Sequence, residues 1–348
     1  MIGRPLFAPR RARRAPRATR REGRSFFASR VCLMACLVVA LPAIATQKVI
    51  GDEPPDANAA VMPLLRQYAT GDLPDRMVAL MAMRELGPVA WPAVPVLVEA
   101  LEDPVMGIRK AAAGALGGIG PAAASAVPAL TAALSDPHRF VRSWAAMALD
   151  EIGPMARSAT GALLRMLEGD RENRRGRAWC ASALAKVEAD PDLAVPALLR
   201  ALREDPSEEV RSVAVLSLEH YGREAGCRFA IRGLVDALDD PHWKVRGNAA
   251  CALPEMGAEA SRIASDLARA LHDEAPYVRG CAVRALAEVD PGSAATIRAI
   301  EGLLDDPDED VRREAARALG RKDPGATFSG DGSDSLVRPS RAPGRHRG

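Results

Sequence analysis

The chain has 348 residues, 48% hydrophobic and 26% charged, enough to bury a core, and with only 4% aromatic residues beside abundant alanine it favours closely packed helices over a sandwich or barrel. The formal charge of +2 hides an asymmetry. Residues 1–30 hold ten Arg and one Glu, which leaves 37 basic and 44 acidic residues downstream, a net of −7. That mildly acidic remainder excludes nucleic acid as a natural partner of the folded part.

After the arginine-rich start comes an uncharged run from Val31 to Ala45. Fifteen residues are short for a membrane span and fit the apolar region of a signal peptide. Ala43-Ile44-Ala45 supplies the small residues of a cleavage site, so residues 1–45 are expected to be removed after Ala45 and the mature chain exported, with no membrane segment. The alternative is an uncleaved signal anchor. Arg20-Arg21 stands too far from Phe26 and Phe27 for a twin-arginine signal, and most of the apolar run follows Cys36 where a lipoprotein box needs it to precede. Residues 46–57 read as a linker.

From about residue 58 to 322 one sentence recurs: DPHRFVRSWAAMALDEIG at 136–153, DPSEEVRSVAVLSLEHYG at 205–222, DPHWKVRGNAACALPEMG at 240–257. Its arginine falls at Arg76, Arg109, Arg142, Arg177, Arg211, Arg246, Arg279 and Arg312, in steps of 33 to 35 residues. That period predicts a solenoid. Three positions after each arginine stands Ala or Cys180, six after it Ala or Ser217, and seven after it Leu or Met83. Those spacings share one helical face, with alanines that let a neighbouring helix approach closely.

The Asp-Pro pairs predict an N-cap carboxylate with proline at the first helical position. Gly87, Gly120, Gly153, Gly222 and Gly257, eleven residues after the arginine, predict left-handed C-caps. A first helix precedes each Asp, as in AVPALTAALSD (126–136) and AVPALLRALRED (194–205). The unit is helix, tight turn, helix, repeated eight times, because one pair alone cannot bury both faces. Arg313, Glu314 and Arg317 give the last copy a polar outer surface suited to a cap, and residues 323–348, rich in Gly, Ser, Pro and Arg, read as a disordered basic tail.

The pattern G-P-x-A, V-P-A-L, A-L-x-D-P-x-x-x-V-R-x-x-A-x-x-A-L resembles the short HEAT-like repeat of the phycobilisome-lyase type. Neither the ankyrin T-P-L-H-x-A nor the tetratricopeptide W-x-x-L-G signature occurs. Copy one lacks Asp-Pro, and copy four has Gly176 for Val and Glu188 for the capping Gly. The resemblance implies an all-α solenoid, an αα-superhelix of about eight helix pairs. It also implies a ladder that ties neighbouring copies together through Arg109, Asp136, Arg142, Arg177, Asp205, Arg211, Asp240, Arg246, Asp273, Arg279, Asp306 and Arg312.

Two enzymatic branches share that resemblance. A deoxyhypusine-hydroxylase iron site needs His-Glu pairs, and none of the five histidines is followed by Glu. A bilin-lyase activity stays as an alternative, without a motif that maps here. His138 and His242 are three copies apart, roughly 25–30 Å at 8–10 Å per helix, and His242 and His272 at best approach loosely. No C-x-x-C, G-x-S-x-G, P-loop or dinucleotide fingerprint appears, so no cofactor, metal or catalytic residue is expected. Cys180 takes a core alanine position. Cys251 and Cys281 lie on adjacent second helices, where an exported chain could bridge them, although their repeat positions differ by one helical turn.

What remains is a surface. The resemblance implies that the second helices line the concave side, and off their alanine–leucine face stand Phe140, Trp144, Met147, Trp179, Val213 and Leu216, with Trp243 and Tyr277 further along. Aromatic anchors supply much of interface energy. The expectation is a non-enzymatic protein–protein interaction scaffold whose partner is another protein or peptide segment. The alternatives are the lyase and a membrane-anchored structural subunit. Packing against the next repeat is the competing role for these side chains.

Overall fold

The structure is a computed structural model that describes residues 57–225, 228–255 and 263–320. The expected signal segment, the linker up to residue 56, Gly257 and the tail lie outside the described residues. Eight antiparallel pairs follow in order: α1 Ala57–Thr70 with α2 Leu73–Glu85; α3 Val94–Ala100 with α4 Met106–Ile119; α5 Val127–Ala133 with α6 Arg139–Ile152; α7 Thr160–Gly169 with α8 Arg174–Lys186. Then come α9 Pro191–Glu204 with α10 Glu208–Ala225; α11 Arg228–Asp236 with α12 Trp243–Ala252; α13 Ala264–Ala270 with α14 Pro276–Val289; α15 Ala294–Glu301 with α16 Glu309–Ala318. No strand occurs among the described residues, and the chain is an all-α solenoid.

Successive second helices (α2, α4, α6 and so on to α16) pack on one another in one layer, and the first helices cover its other side. The reason is written in the alanine row. Every residue three after the anchor arginine is fully buried, from Ala79 to Ala315, and the rows six and seven after it are buried except at the ends, Ala82, Ala318 and Leu319. Among the described residues only the first and last copies have a neighbour on one side alone, and only they leave the seam open. The run Met106–Ala133 is long and apolar enough to cross a membrane by composition. It is not one straight helix: it breaks at Gly120 (φ 68°, ψ −140°) into a 3-10 segment and a second helix.

The turn chemistry differs from the sequence expectation. Asp136 is not the N-cap of α6. Its Oδ1 accepts from the His138 backbone N–H at 2.7 Å, closing a turn that holds Pro137, and His138 is the N-cap, its Nδ1 accepting from Phe140 N–H. The same turn recurs at Asp103, Asp205, Asp240, Asp273 and Asp306. Each helix therefore begins about three residues after the Asp, which is left free to receive an arginine from the preceding copy.

The glycine reading holds at Gly87, Gly120 and Gly153, all at positive φ. It fails at Gly222, which lies inside α10. Copy four closes without glycine: Glu188 takes φ 52°, with Ala189 N–H donating to Leu184 O and Glu188 N–H to Ala185 O, the Schellman pattern. The buried Tyr221 hydroxyl, on the next copy, donates to the same carbonyl edge, 2.7 Å from Leu184 O and 3.1 Å from Ala189 O. Gly176, where copies two, three and five to eight place Val or Ile, leaves room that the Met166 methyl fills.

Candidate interaction surface on the second-helix layer

The arginine ladder runs between copies. Arg109 donates from Nε and Nη2 to both carboxylate oxygens of Asp136, at 2.7 and 3.1 Å, while Nη1 donates to the Asp103 carbonyl of its own turn. Arg142 makes the same fork with Asp170, Arg177 with Asp205, Arg211 with Asp240, Arg246 with Asp273 and Arg279 with Asp306. Arg142 thus meets Asp136 only through its main-chain oxygen, and its carboxylate partner is one copy further on. Three members are missing from the ladder expected from sequence: Asp170, which no proline follows, and Arg76 and Asp103, which pair with each other. Among the described residues Arg312 donates to the Asp306 and Pro307 carbonyls alone. Forked guanidinium–carboxylate pairs of this kind, nearly buried, position elements and perform no chemistry.

Neighbouring second helices are staggered. The residue five after one anchor arginine faces the residue two after the next: Gly114 meets Trp144, Cys251 meets Cys281, and Arg284 pairs with Glu314 at 4.0 Å. The stagger sets where each side chain of the stripe lies. A Cβ on Gly114 would lie 2.9 Å from Trp144 Cε3 and Cζ3, so the indole lies in a glycine notch on α4, with the Arg84 guanidinium 4.7 Å from the ring centre. The Met147 methyl lies beside Gly117, one turn along the same helix. Trp144, Met147, Trp179 and Val213 are half-buried, with Trp144, Trp179 and Val213 packed on the core. Phe140 and Leu216 stand out at 42% and 52% exposure.

Trp243 and Tyr277 form a separate group. Their rings meet edge to face at 5.6 Å, Tyr277 packs over Gly247 and donates to Asn248 Oδ1, and His242 stacks on Trp243. Trp243 is exposed and Tyr277 half-buried. The sequence reading missed Val78 and Met81 on α2, 55% and 61% exposed, which occupy the same two repeat positions as Trp144 and Met147. It also missed Asp150 on α6, whose carboxyl is buried with Oδ1 unpartnered and is held above the usual carboxylate range by desolvation.

Among the described residues no group of three or more His, Cys, Asp or Glu is arranged to hold a metal ion. His138 and His242 both serve as N-caps. Cys180 is fully buried and its thiol is driven up by desolvation, which makes it inert. Cys251 and Cys281 are joined in a disulfide with Cα atoms 5.2 Å apart. The one-turn offset that counts against the pair in sequence is the stagger between the helices.

A stack of helix pairs with a continuous alanine seam and an inter-copy arginine ladder is a helical repeat scaffold. The family model for HEAT repeats matches residues 62–150, 94–185, 127–219 and 231–321, and the chain belongs to the HEAT-repeat proteins. No curated protein matches it in sequence. Solved structures with a similar fold include an engineered protein, 24% identical over 75% of this chain and 77% of that one, with a TM-score of 0.46. The complex of CpcE and CpcF of phycocyanin lyase from Nostoc sp. PCC7120 is 23% identical, covering 75% and 98%, with a TM-score of 0.42.

Proposed function

We propose that this HEAT-repeat chain is a non-enzymatic protein-binding module, of the phycobilisome-lyase repeat type by its motif spacing, that acts outside the cytoplasm after loss of residues 1–45. The partner segment docks on the second-helix surface across copies one to five. The observation that carries this reading is the apolar row Val78, Met81, Phe140 and Leu216, exposed on a face whose centre is floored by Trp144, Met147, Trp179 and Val213. Separate exposed apolar side chains are ordinary, whereas a row on one face of a repeat stack suits a binding surface. The run Val31–Ala45 with its Ala-Ile-Ala end supports export.

The test uses tagged full-length chain expressed in its host, beside a Phe140→Ala/Leu216→Asp variant. Both positions are exposed, so this variant keeps the glycine-notch packing that Trp144→Ala would disturb. A partner captured by the wild type and lost by the variant, at equal helicity by circular dichroism, is expected. Equal capture moves the site elsewhere, and a coloured eluate favours the lyase reading. Intact mass of the purified chain checks export: an N-terminus at Thr46 is expected, and a retained residue 1–45 segment makes the chain signal-anchored.

A further inference from the structure

We propose that the Cys251–Cys281 disulfide is a thiol–disulfide exchange site, opened by a thiolate reductant that attacks Cys251. The proposal does not rest on the binding surface. The two cysteines differ in access: Cys281 is 1% exposed, beneath the layer, whereas Cys251 is partly open on it. A nucleophile arriving from solvent therefore meets the Cys251 sulfur. Its attack expels Cys281 as a thiolate, and a buried thiolate is normally a poor leaving group because desolvation raises its basicity.

Arg284 answers that difficulty. Its Nη2 lies 3.6 Å from Cys281 Sγ and 3.3 Å from Cys251 Sγ, so one guanidinium faces both sulfurs of the bridge. Arg284 is placed by the stagger, five residues after Arg279, and Glu314 of the last copy faces its Nε. A cation beside the sulfur lowers thiol pKa, and a lower leaving-group pKa speeds exchange. Cys180 is fully buried in the alanine seam, where desolvation and then the Asp170 charge drive its thiol up, so the reactive pair is distinct from the inert thiol.

The step balances as follows. A thiolate of a dithiol reductant bonds to Cys251 Sγ, and the electron pair of the S–S bond leaves on Cys281 Sγ. The second thiolate of the reductant then attacks its own sulfur in the mixed disulfide, releasing Cys251 as a thiolate. Two electrons and two protons pass to the cysteine pair, and the reductant ends as a disulfide. The Arg246–Asp273 fork joins the same two copies without sulfur, so the opened chain stays folded and only the covalent tie between copies six and seven is lost.

The test begins with full-length protein purified without reductant, alkylated in denaturant and digested with trypsin. A linked pair of peptides, residues 247–262 with 280–284, is expected, and alkylation of both cysteines before any reductant overturns the proposal. Folded protein is then treated with reduced glutathione as the probe. The adduct is expected on peptide 247–262, and an adduct on 280–284 overturns the assigned point of attack. Finally, reduction by dithiothreitol is timed in Arg284→Gln and Arg284→Lys. Arg284→Gln is expected to slow it about threefold to tenfold, with Lys restoring most of the rate. An unchanged rate in Arg284→Gln removes Arg284 from the site.

Discussion

Copy three and copy four reach the same architecture through different chemistry. In copy three α6 ends at Gly153, with φ 69° and ψ −138°, a conformation open essentially to glycine alone. From it the chain enters a 3-10 segment, Gly153–Ala159, before α7 begins. In copy four α8 ends in the Schellman turn at Glu188, and α9 starts three residues later, at Pro191, capped by Asp190. The first solution needs one residue type and a long lead-in. The second accepts a side chain but draws a Tyr221 hydroxyl from the next copy to finish the carbonyl edge. What does not change between the copies is the forked arginine, which fixes their relative placement whatever the turn.

That constancy gives the largest expected effect. Arg177 is 3% exposed, donates to both oxygens of Asp205 and to the Asp170 and Arg171 carbonyls. Arg177→Ala leaves the Asp205 carboxylate nearly buried with no guanidinium, and a loss of about 3–5 kcal/mol is expected by urea unfolding. Arg312, with no following copy among the described residues, donates only to carbonyls, and Arg312→Ala is expected to cost about 1 kcal/mol. Equal losses at the two positions would mean that the inter-copy half of the fork contributes nothing.

The turns themselves separate the copies next. Gly153→Ala forces a Cβ into a glycine-only conformation and is expected to cost about 1–3 kcal/mol. Glu188→Gly runs the other way, relieving a left-handed residue for a gain of about 1 kcal/mol. The Arg157–Glu188 pair that it removes is more than half exposed at both ends and is worth little. Thermal unfolding of the two variants side by side checks the signs. A loss in Glu188→Gly would show that the ion pair, not the backbone, holds that turn.

Much of this was legible in one dimension, and the limit has a physical cause. The alanine seam follows from spacing within a helix, since the positions three, six and seven after each arginine share a face regardless of what the next copy does. Register between helices is not encoded that way. Spacing sets Trp144 off the alanine–leucine face without showing that the stagger lays its indole over Gly114, and Cys251 and Cys281 read as mismatched until the same stagger sets them face to face. The Asp of each turn reads as a cap because Asp-Pro is a capping signal. In three dimensions its two oxygens are spent on a turn N–H and on an arginine about 27 residues earlier. Gly222 fails as a stop because α10 runs on to Ala225, and Asp150 had no motif to mark it.

Asp150 gives the smallest effect and tests the seam between copies three and four. Desolvation holds its carboxyl above the usual range, against the opposing influence of Ser182 and Lys186 on α8. The ladder carboxylates Asp136, Asp170, Asp273 and Asp306 are depressed: desolvation, which would raise them, is outweighed by hydrogen bonds from their arginines and neighbours. Their stabilisation is present above the unfolded-state value and is lost as pH falls through the folded one. Asp150 has the opposite sign. Its neutral form is favoured in the fold, so it costs nothing below the unfolded-state value and destabilises progressively as pH rises through its folded value. Asp150→Asn is therefore expected to gain less than about 1 kcal/mol at pH 7 and nothing near pH 3, while both proteins lose stability in acid through the ladder. Urea midpoints at the two pH values decide it. A variant advantage that persists in acid would place its origin in packing between α6 and α8 and not in the buried charge.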